Sequence, residues 1–244
     1  MRCLITAVLI ALAWTAQADG DNDISKVNGA VRVSAGESVG DVSSVNGSVR
    51  IEDGVTAHDV ETVNGSIQIG ERARVETIET VNGSITLSDG AQAERLGTVN
   101  GTMKLASDVQ IAGDVTAVNG GMWLGRNTQV RGNLENVNGQ MNLDAARVGG
   151  RLKTTNGNIT VGANSHVQGG ILVEKPNFNW FNRNSRKPKI VIGENAIVEG
   201  TLKFEREVDL YVSDSAKIGK VEGATAQRVG GEKPGSADDM KVER

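Results

Sequence analysis

An asparagine–glycine pair returns along this chain at almost constant intervals, and this regularity constrains the fold more than any other feature. The tripeptide Val-Asn-Gly first occurs at 27–29 and recurs six times, and an eighth copy at 155–157 has threonine in place of valine. The interval between successive asparagines never varies by more than one position. A constant short period is typical of one small structural unit stacked on itself many times. The sequence therefore predicts a solenoid.

Apolar residues occupy fixed positions in each repeat. Three and five residues after each asparagine the side chain is aliphatic or methionine, as at Val49 and Ile51. This spacing of two predicts an extended strand whose alternate side chains face one core. A six-residue spacing runs alongside it, and we expect its members also to face the core: Val27, Val33, Val39, Val45, Ile51, Ala57, Val63, Ile69, Val75, Val81, Leu87, Ala93 and Val99.

Three six-residue sides make one full repeat. We therefore predict an all-β fold, a three-sided β-helix of single strands with about ten turns. Adjacent turns should be about 4.8 Å apart, which is the usual distance between paired strands. No stretch of the repeats keeps the three-and-four spacing that an amphipathic helix needs.

The repeated asparagines have two interpretations. Asparagine tolerates left-handed backbone angles and glycine adopts angles closed to other residues, so we expect each pair at a corner of the coil. Stacked amides can then bond to one another along the rod. The alternative is a polar binding stripe, for example for sugars. We favour a structural corner ladder formed by Asn28, Asn46, Asn64, Asn82, Asn100, Asn119, Asn138 and Asn156.

The N-terminal segment 1–18 has the pattern of a secretory signal. Arg2 precedes a mostly apolar stretch, 4–14, and Ala16-Gln17-Ala18 resembles a cleavage site. We expect cleavage after Ala18, with an uncleaved anchor as the alternative. The mature chain would then be exported across the inner membrane, to the periplasm or envelope, with no transmembrane segment and no cysteine.

The rest of the chain divides by pattern. We predict a short polar segment at 19–26, β-helix repeats at 27–173, an aromatic and basic loop at 174–189 and final β-helix turns at 190–223. The residues 224–244 lack apolar columns, contain paired glycines and mixed charge, and are predicted to be disordered.

The loop at 174–189 is the best binding candidate in the sequence. Insertions in solenoids emerge on one side and often carry binding residues. Aromatic rings beside cations suit sugar faces, anionic lipid headgroups or an acidic protein surface. The alternative is that the rings fold back and cover part of the rod. The candidate residues are Phe178, Trp180, Phe181, Arg183, Arg186, Lys187 and Lys189.

Residue patterns of catalysis and metal binding are scarce. His58 and His166 are predicted to lie six turns apart, about 29 Å along the rod. Stacked carboxylates at Asp53, Glu71 and Asp89 suit calcium or acid–base work, but Asp-Gly pairs more simply predict turns. We assign no catalytic residue, metal or cofactor and expect no enzyme. The formal net charge of −4 argues against a general nucleic-acid binder.

Four short stretches resemble known repeats. The residues 190–202 and 161–171 look like the repeat of bactofilins, polymer-forming cytoskeletal proteins of bacteria. The Thr-Val-Asn-Gly-Ser-Ile units at 62–67 and 80–85 resemble a family of adhesin-like bacterial proteins of unknown function. The resemblance to bactofilins implies a right-handed coil and end-to-end polymerisation without nucleotide.

Three functions from different classes follow. The first is a structural or scaffolding rod of the bacterial envelope whose partner is a second copy of the chain. The second is a binding module that uses the 178–189 loop to hold an envelope glycan, a lipid headgroup or a protein. The third is an enzyme acting on polysaccharide or transferring acyl groups. We favour the first.

Overall fold

The computed structural model describes residues 22–176 and 187–230, and every regular element in these two ranges is a β-strand. Before the insertion the strands are β1 Ile24–Asn28, β2 Val31–Val33, β3 Val42–Asn46, β4 Val49–Ile51, β5 Thr56–Asn64, β6 Ile67–Ile69, β7 Arg74–Asn82, β8 Ile85–Leu87, β9 Gln92–Asn100, β10 Met103–Leu105, β11 Gln110–Ile111, β12 Val115–Asn119, β13 Met122–Leu124, β14 Gln129–Val130, β15 Leu134–Asn138, β16 Met141–Leu143, β17 Arg147–Val148, β18 Leu152–Thr154, β19 Ile159–Val161, β20 His166–Val167 and β21 Ile171–Val173. After it they are β22 Lys189–Ile192, β23 Ile197–Val198, β24 Leu202–Phe204, β25 Asp209–Ser213, β26 Lys217–Ile218, β27 Val221–Glu222 and β28 Ala226–Val229.

These strands form three sides of one coil. The first side contains β1, β3, β12, β15, β18, β21, β24 and β27, together with the C-terminal parts of β5, β7 and β9. The second side is an 11-stranded sheet from β2 to β28. The third side contains β11, β14, β17, β20, β23 and β26 with the N-terminal parts of β5, β7 and β9.

Each strand pairs in parallel with the strands of the turns before and after it. Asn28 lies opposite Asn46, and Val31 lies opposite Val49, one repeat further along the chain. The second side contains one strand from each turn. The described rod therefore has 11 turns, which are numbered here from the N-terminus. The predicted three-sided β-solenoid is confirmed.

Two side chains from each side point into a shared core. Val42 and Ile51 are within 1% of full burial, and the same two positions are buried in turns 2–10. One turn alone cannot bury these side chains, but stacked turns form a continuous aliphatic column. Removal of this apolar surface from water is the main stabilising term.

The valines that precede the corner asparagines do not face this core, and our expectation for Val27, Val45, Val63, Val81 and Val99 was wrong. Val27 is 49% exposed, and the others are partly exposed. In β5 the buried residues are Ala57, Val60 and Thr62. Side chains alternate along a strand, so Val63, three residues after Val60, must point outward. These valines, with Val118 and Val137, form an outward-facing valine stripe.

In turns 2–5 the inward position beside the valine belongs to serine or threonine. Thr62 and Thr80 are at most 2% exposed. Their hydroxyls donate to the carbonyl oxygens of Gly47 and Gly65 in the preceding turn, at 3.0 and 3.1 Å. A buried hydroxyl is tolerated because it has this partner.

From turn 2 onward, close stacking of the corners requires the glycine after each asparagine. A Cβ at Gly83 would overlap the carbonyl oxygen of Gly65 in the turn below. Left-handed angles occur mainly at the next corner instead, for example at Gly54, Arg72 and Gly90. Within the described residues none of the eight corner asparagines has a positive φ, so that part of our expectation was wrong.

Candidate functional site

The insertion leaves the rod at the corner between the first and second sides of turn 9. The chain departs after β21 and returns at β22, where other turns have their Asn-Gly pair. Five of the seven predicted binding residues lie outside the described part of the chain: Phe178, Trp180, Phe181, Arg183 and Arg186. Lys187 and Lys189 belong to the returning stem.

The departing stem is held to the turn below it. The backbone N–H of Glu174 donates to the carbonyl of Thr154 at 2.9 Å. Its carboxylate lies 3.0 Å from the ammonium of Lys153, whose side chain is only 14% exposed. A partly buried ion pair is less screened by water than a surface pair. The chain therefore leaves the rod from a defined position.

The returning stem is held from the turns on both sides. Lys187 lies 3.0 Å from the carboxylate of Glu207, and donation to that carboxylate raises the lysine's pKa. The backbone N–H of Lys189 donates to the side-chain oxygen of Asn158 at 2.9 Å. The Lys189 ammonium lies 5.3 Å from the centroid of the Tyr211 ring, within cation–π distance. Both lysines thus contact their own rod.

The corner asparagines form one continuous row of amide hydrogen bonds. Asn46 donates to Asn28 at 3.3 Å, and Asn156, the last of the row, donates to Asn138 at 2.8 Å. The five bonds between these ends are 2.9–3.0 Å long. Each inner amide donates to the turn below and accepts from the turn above, so the row is a structural ladder with a direction.

Arg206 ends this ladder beside the insertion. It lies at the first-to-second corner of turn 10, and its guanidinium donates to the side-chain oxygen of Asn156 at 2.6 Å and to the carbonyl of Thr155 at 3.2 Å. The turn between them has no corner asparagine because the chain leaves there. We did not find Arg206 from the sequence. The available signal was its place in the aligned turns. Arg206, directly after Glu205, falls in the column of the corner asparagines.

An acidic patch lies beside the valine stripe on the outer surface of the first side. We define it by Asp41, Asp59, Glu61 and Glu79. Within the described residues no lysine or arginine forms an ion pair with any of the four. Partial burial raises the pKa of Glu61, and the carboxylates of Glu79 and Asp59 raise it further. Partial burial and Asp59 likewise raise the pKa of Glu79, while Arg95 lowers it.

His166 and the stacked carboxylates Asp53 and Asp89 contact nearby groups of the rod. His166 Nε2 lies 2.8 Å from the Glu199 carboxylate, while His58 is exposed on the third side. Asp53 and Asp89 each accept from a backbone N–H of the following turn, at 2.7 and 2.8 Å. Within residues 22–176 and 187–230 no group of three or more His, Cys, Asp or Glu is placed to hold a metal ion.

Comparison with protein-family models, curated proteins and solved structures found no match to this chain. Among the described residues no helix is long and apolar enough to cross a membrane.

Proposed function

We propose that this chain is a non-catalytic structural rod of the bacterial cell envelope, and that it assembles with itself through its terminal turns. The observation that carries this proposal is the state of the two ends. Among the described residues, β1 and β2 pair only with the strands of turn 2, and β27 and β28 pair only with the strands of turn 10. Unpaired edges of this kind are templates for another strand.

The edge at β1 has donors suited to this role. The N–H of Ile24 bonds inward to the carbonyl of Asp41. Because backbone groups of a parallel strand alternate in direction, the N–H of Ser25 points to the open edge.

Export to the envelope rests on the signal-like residues 1–18, and the bacterial setting rests on the resemblance of the repeats to bactofilins.

The test is the size of the chain as a function of concentration, measured by sedimentation and by electron microscopy of the same sample. We expect growth in length, and we expect Ser25→Pro to reduce it because proline removes the free donor without removing an internal backbone hydrogen bond. Ser25→Ala is the matched control, because it also loses the hydroxyl contact of Ser25 with Ser43. A monomer at every concentration would contradict self-assembly.

A second candidate function is a binding module that presents the 178–189 loop. The contacts of its two stems favour this alternative, because Lys153–Glu174 and Lys187–Glu207 fix where the loop starts and ends. The probes are purified peptidoglycan and phosphatidylglycerol vesicles, each in a cosedimentation assay. We expect Trp180→Ala to reduce binding, and Trp123→Ala, an exposed tryptophan on the second side, to leave it unchanged.

A further inference from the structure

The Asn-Gly pairs of the corner ladder are also potential sites of chemical modification. In such a pair the backbone nitrogen of the glycine can attack the side-chain amide carbon of the asparagine, because glycine has no side chain to obstruct the approach. All eight corners share this pair. Large differences in reactivity between the corners must therefore come from the fold.

Asn28 is held less firmly than the other asparagines of the ladder. Its side-chain oxygen accepts from Asn46 at 3.3 Å, the longest bond of the row. Its side-chain nitrogen donates no hydrogen bond within the described residues, because turn 1 is the first turn of the described rod. Asn64, an inner member of the row, both donates and accepts at 3.0 Å. The amide of Asn28 is therefore the freest to turn towards the following nitrogen.

The glycine that follows Asn28 is also less confined. Nothing lies within 4 Å of the place that a Cβ on Gly29 would take, whereas a Cβ on Gly65 or Gly83 would overlap a carbonyl oxygen of the preceding turn. The N–H of Gly29 does donate to the carbonyl of Asn46, at 3.0 Å. That bond belongs to a terminal turn, which packs against one neighbour and opens at a lower free energy than an inner turn.

We propose that Asn28–Gly29 is a site of spontaneous deamidation, which converts the N-terminal corner of the rod to aspartate and isoaspartate much faster than the inner corners. The Gly29 nitrogen loses its proton to solvent and bonds to Cγ of Asn28, the Cγ–Nδ2 bond breaks, and ammonia leaves. Water then opens the resulting succinimide at either carbonyl. The net change is amide and water to carboxylate and ammonium, and it does not require the chain to associate with itself.

The direction of the ladder makes this end the place where an acid is tolerated. Asn28 contributes only an acceptor to the row, so an aspartate there keeps the bond from Asn46 and makes it charge-assisted. The same change at Asn64 removes the donor to Asn46 and places two acceptors opposite one another. The N-terminal corner can therefore become acidic without loss of the row.

Asn138–Gly139 is the strongest rival site. Within the described residues the N–H of Gly139 donates no hydrogen bond, so the attacking nitrogen is less restrained there than at the N-terminal corner. The amide of Asn138, however, donates to Asn119 at 3.0 Å and accepts from Asn156 at 2.8 Å. Since attack requires the side chain to leave both bonds, we expect Asn138 to react more slowly than Asn28.

Peptide mass spectrometry measures the rate at each corner. The full chain is incubated at mildly alkaline pH, at a concentration where sedimentation shows a monomer, because end assembly would cover turn 1. Trypsin then places each of the eight pairs on a separate peptide. We expect Asn28 to deamidate at least about tenfold faster than Asn64 or Asn82. In concentrated urea, the control, the eight rates should agree to within about threefold, because little structure remains to distinguish them.

A matched pair of substitutions tests the tolerance of the product. Asn28→Asp and Asn64→Asp add the same charge to the same column. The first should change the melting temperature by less than about 1 °C and the second should lower it by at least about 2 °C. Equal rates at Asn28 and Asn64 in the folded chain, or a faster reaction at Asn138 than at Asn28, would overturn the proposed site. Equal losses of stability in the two variants would overturn the tolerance of an acid at this end.

Discussion

Arg206 donates to the side-chain oxygen of Asn156 at 2.6 Å although the two residues are far apart in sequence. They occupy the same corner of turns 10 and 8, and the chain between them leaves the rod from turn 9. Arg206 therefore spans the place where the ladder is interrupted. Without it, the last side-chain oxygen of the row and the carbonyl of Thr155 would each lose this donor.

This contact predicts energetic coupling between the two positions. We expect Arg206→Ala to lower the free energy of unfolding by about 1–2 kcal/mol, because hydrogen bonds from a charged donor are stronger than neutral ones. A double-mutant cycle with Asn156→Ala, measured by urea unfolding, should show an interaction of at least about 0.5 kcal/mol. Arg50→Ala in place of Arg206→Ala should show none, and additive effects at Arg206 and Asn156 would contradict the contact.

The stacked corners predict opposite results for two glycines close in sequence. Gly83→Ala should destabilise the chain by at least about 2 kcal/mol, because its Cβ would overlap backbone of the turn below. A Cβ at Gly97 would make only ordinary contacts, 3.5 Å or more from Glu79. Gly97→Ala should therefore be neutral or slightly stabilising, since alanine reduces the entropy of the unfolded chain. Thermal unfolding of both variants is the measurement, and equal losses would contradict the close stacking.

The direction of the valines predicts unequal effects of one substitution within a single strand. Val60→Thr should cost about 2 kcal/mol or more, because Val60 is fully buried and the new hydroxyl would lie in an apolar core. Val63→Thr should cost less than about 0.5 kcal/mol, since this side chain faces outward and threonine suits a strand. Denaturant unfolding compares the two directly. A larger cost at Val63 than at Val60 would mean that Val63, and not Val60, faces the core.

The acidic patch predicts a dependence of stability on pH. The pKa of Glu79 is raised in the folded chain, so the native state binds more protons than the unfolded state, and the stability from this group falls as the pH rises through its raised pKa. Glu79→Gln should therefore stabilise the chain at pH 7, by less than about 1 kcal/mol because water screens a half-exposed group. The gain should vanish below about pH 4, where the carboxyl is protonated in both states.

The matched control is Glu76→Gln, which removes an exposed carboxylate of the same strand on the third side. It should change the free energy of unfolding by less than about 0.5 kcal/mol at either pH. A stabilisation by Glu79→Gln that is equal at pH 4 and pH 7 would show that loss of charge is not its cause.

The repeat period by itself determined the architecture of this protein. A short, constant interval with apolar residues two apart admits few structures other than a coil of short strands, because each turn must bury its side chains against the next. The corner position of the asparagines followed from the same pattern. Constraints of this kind on the backbone are local, so the sequence of one repeat is enough to predict them.

Only the tertiary structure decided which way several side chains face. Val60 and Val63 are equally apolar, and the six-residue spacing predicted Val63 as a core residue, whereas the structure buries Val60. The position of the corner decides, because it sets which residues of β5 alternate inward. The contact between Arg206 and Asn156 was likewise not predicted from the sequence, because it forms only where the corner ladder is interrupted in turn 9. Contacts between distant turns arise from stacking, so they cannot be predicted from the composition of one turn.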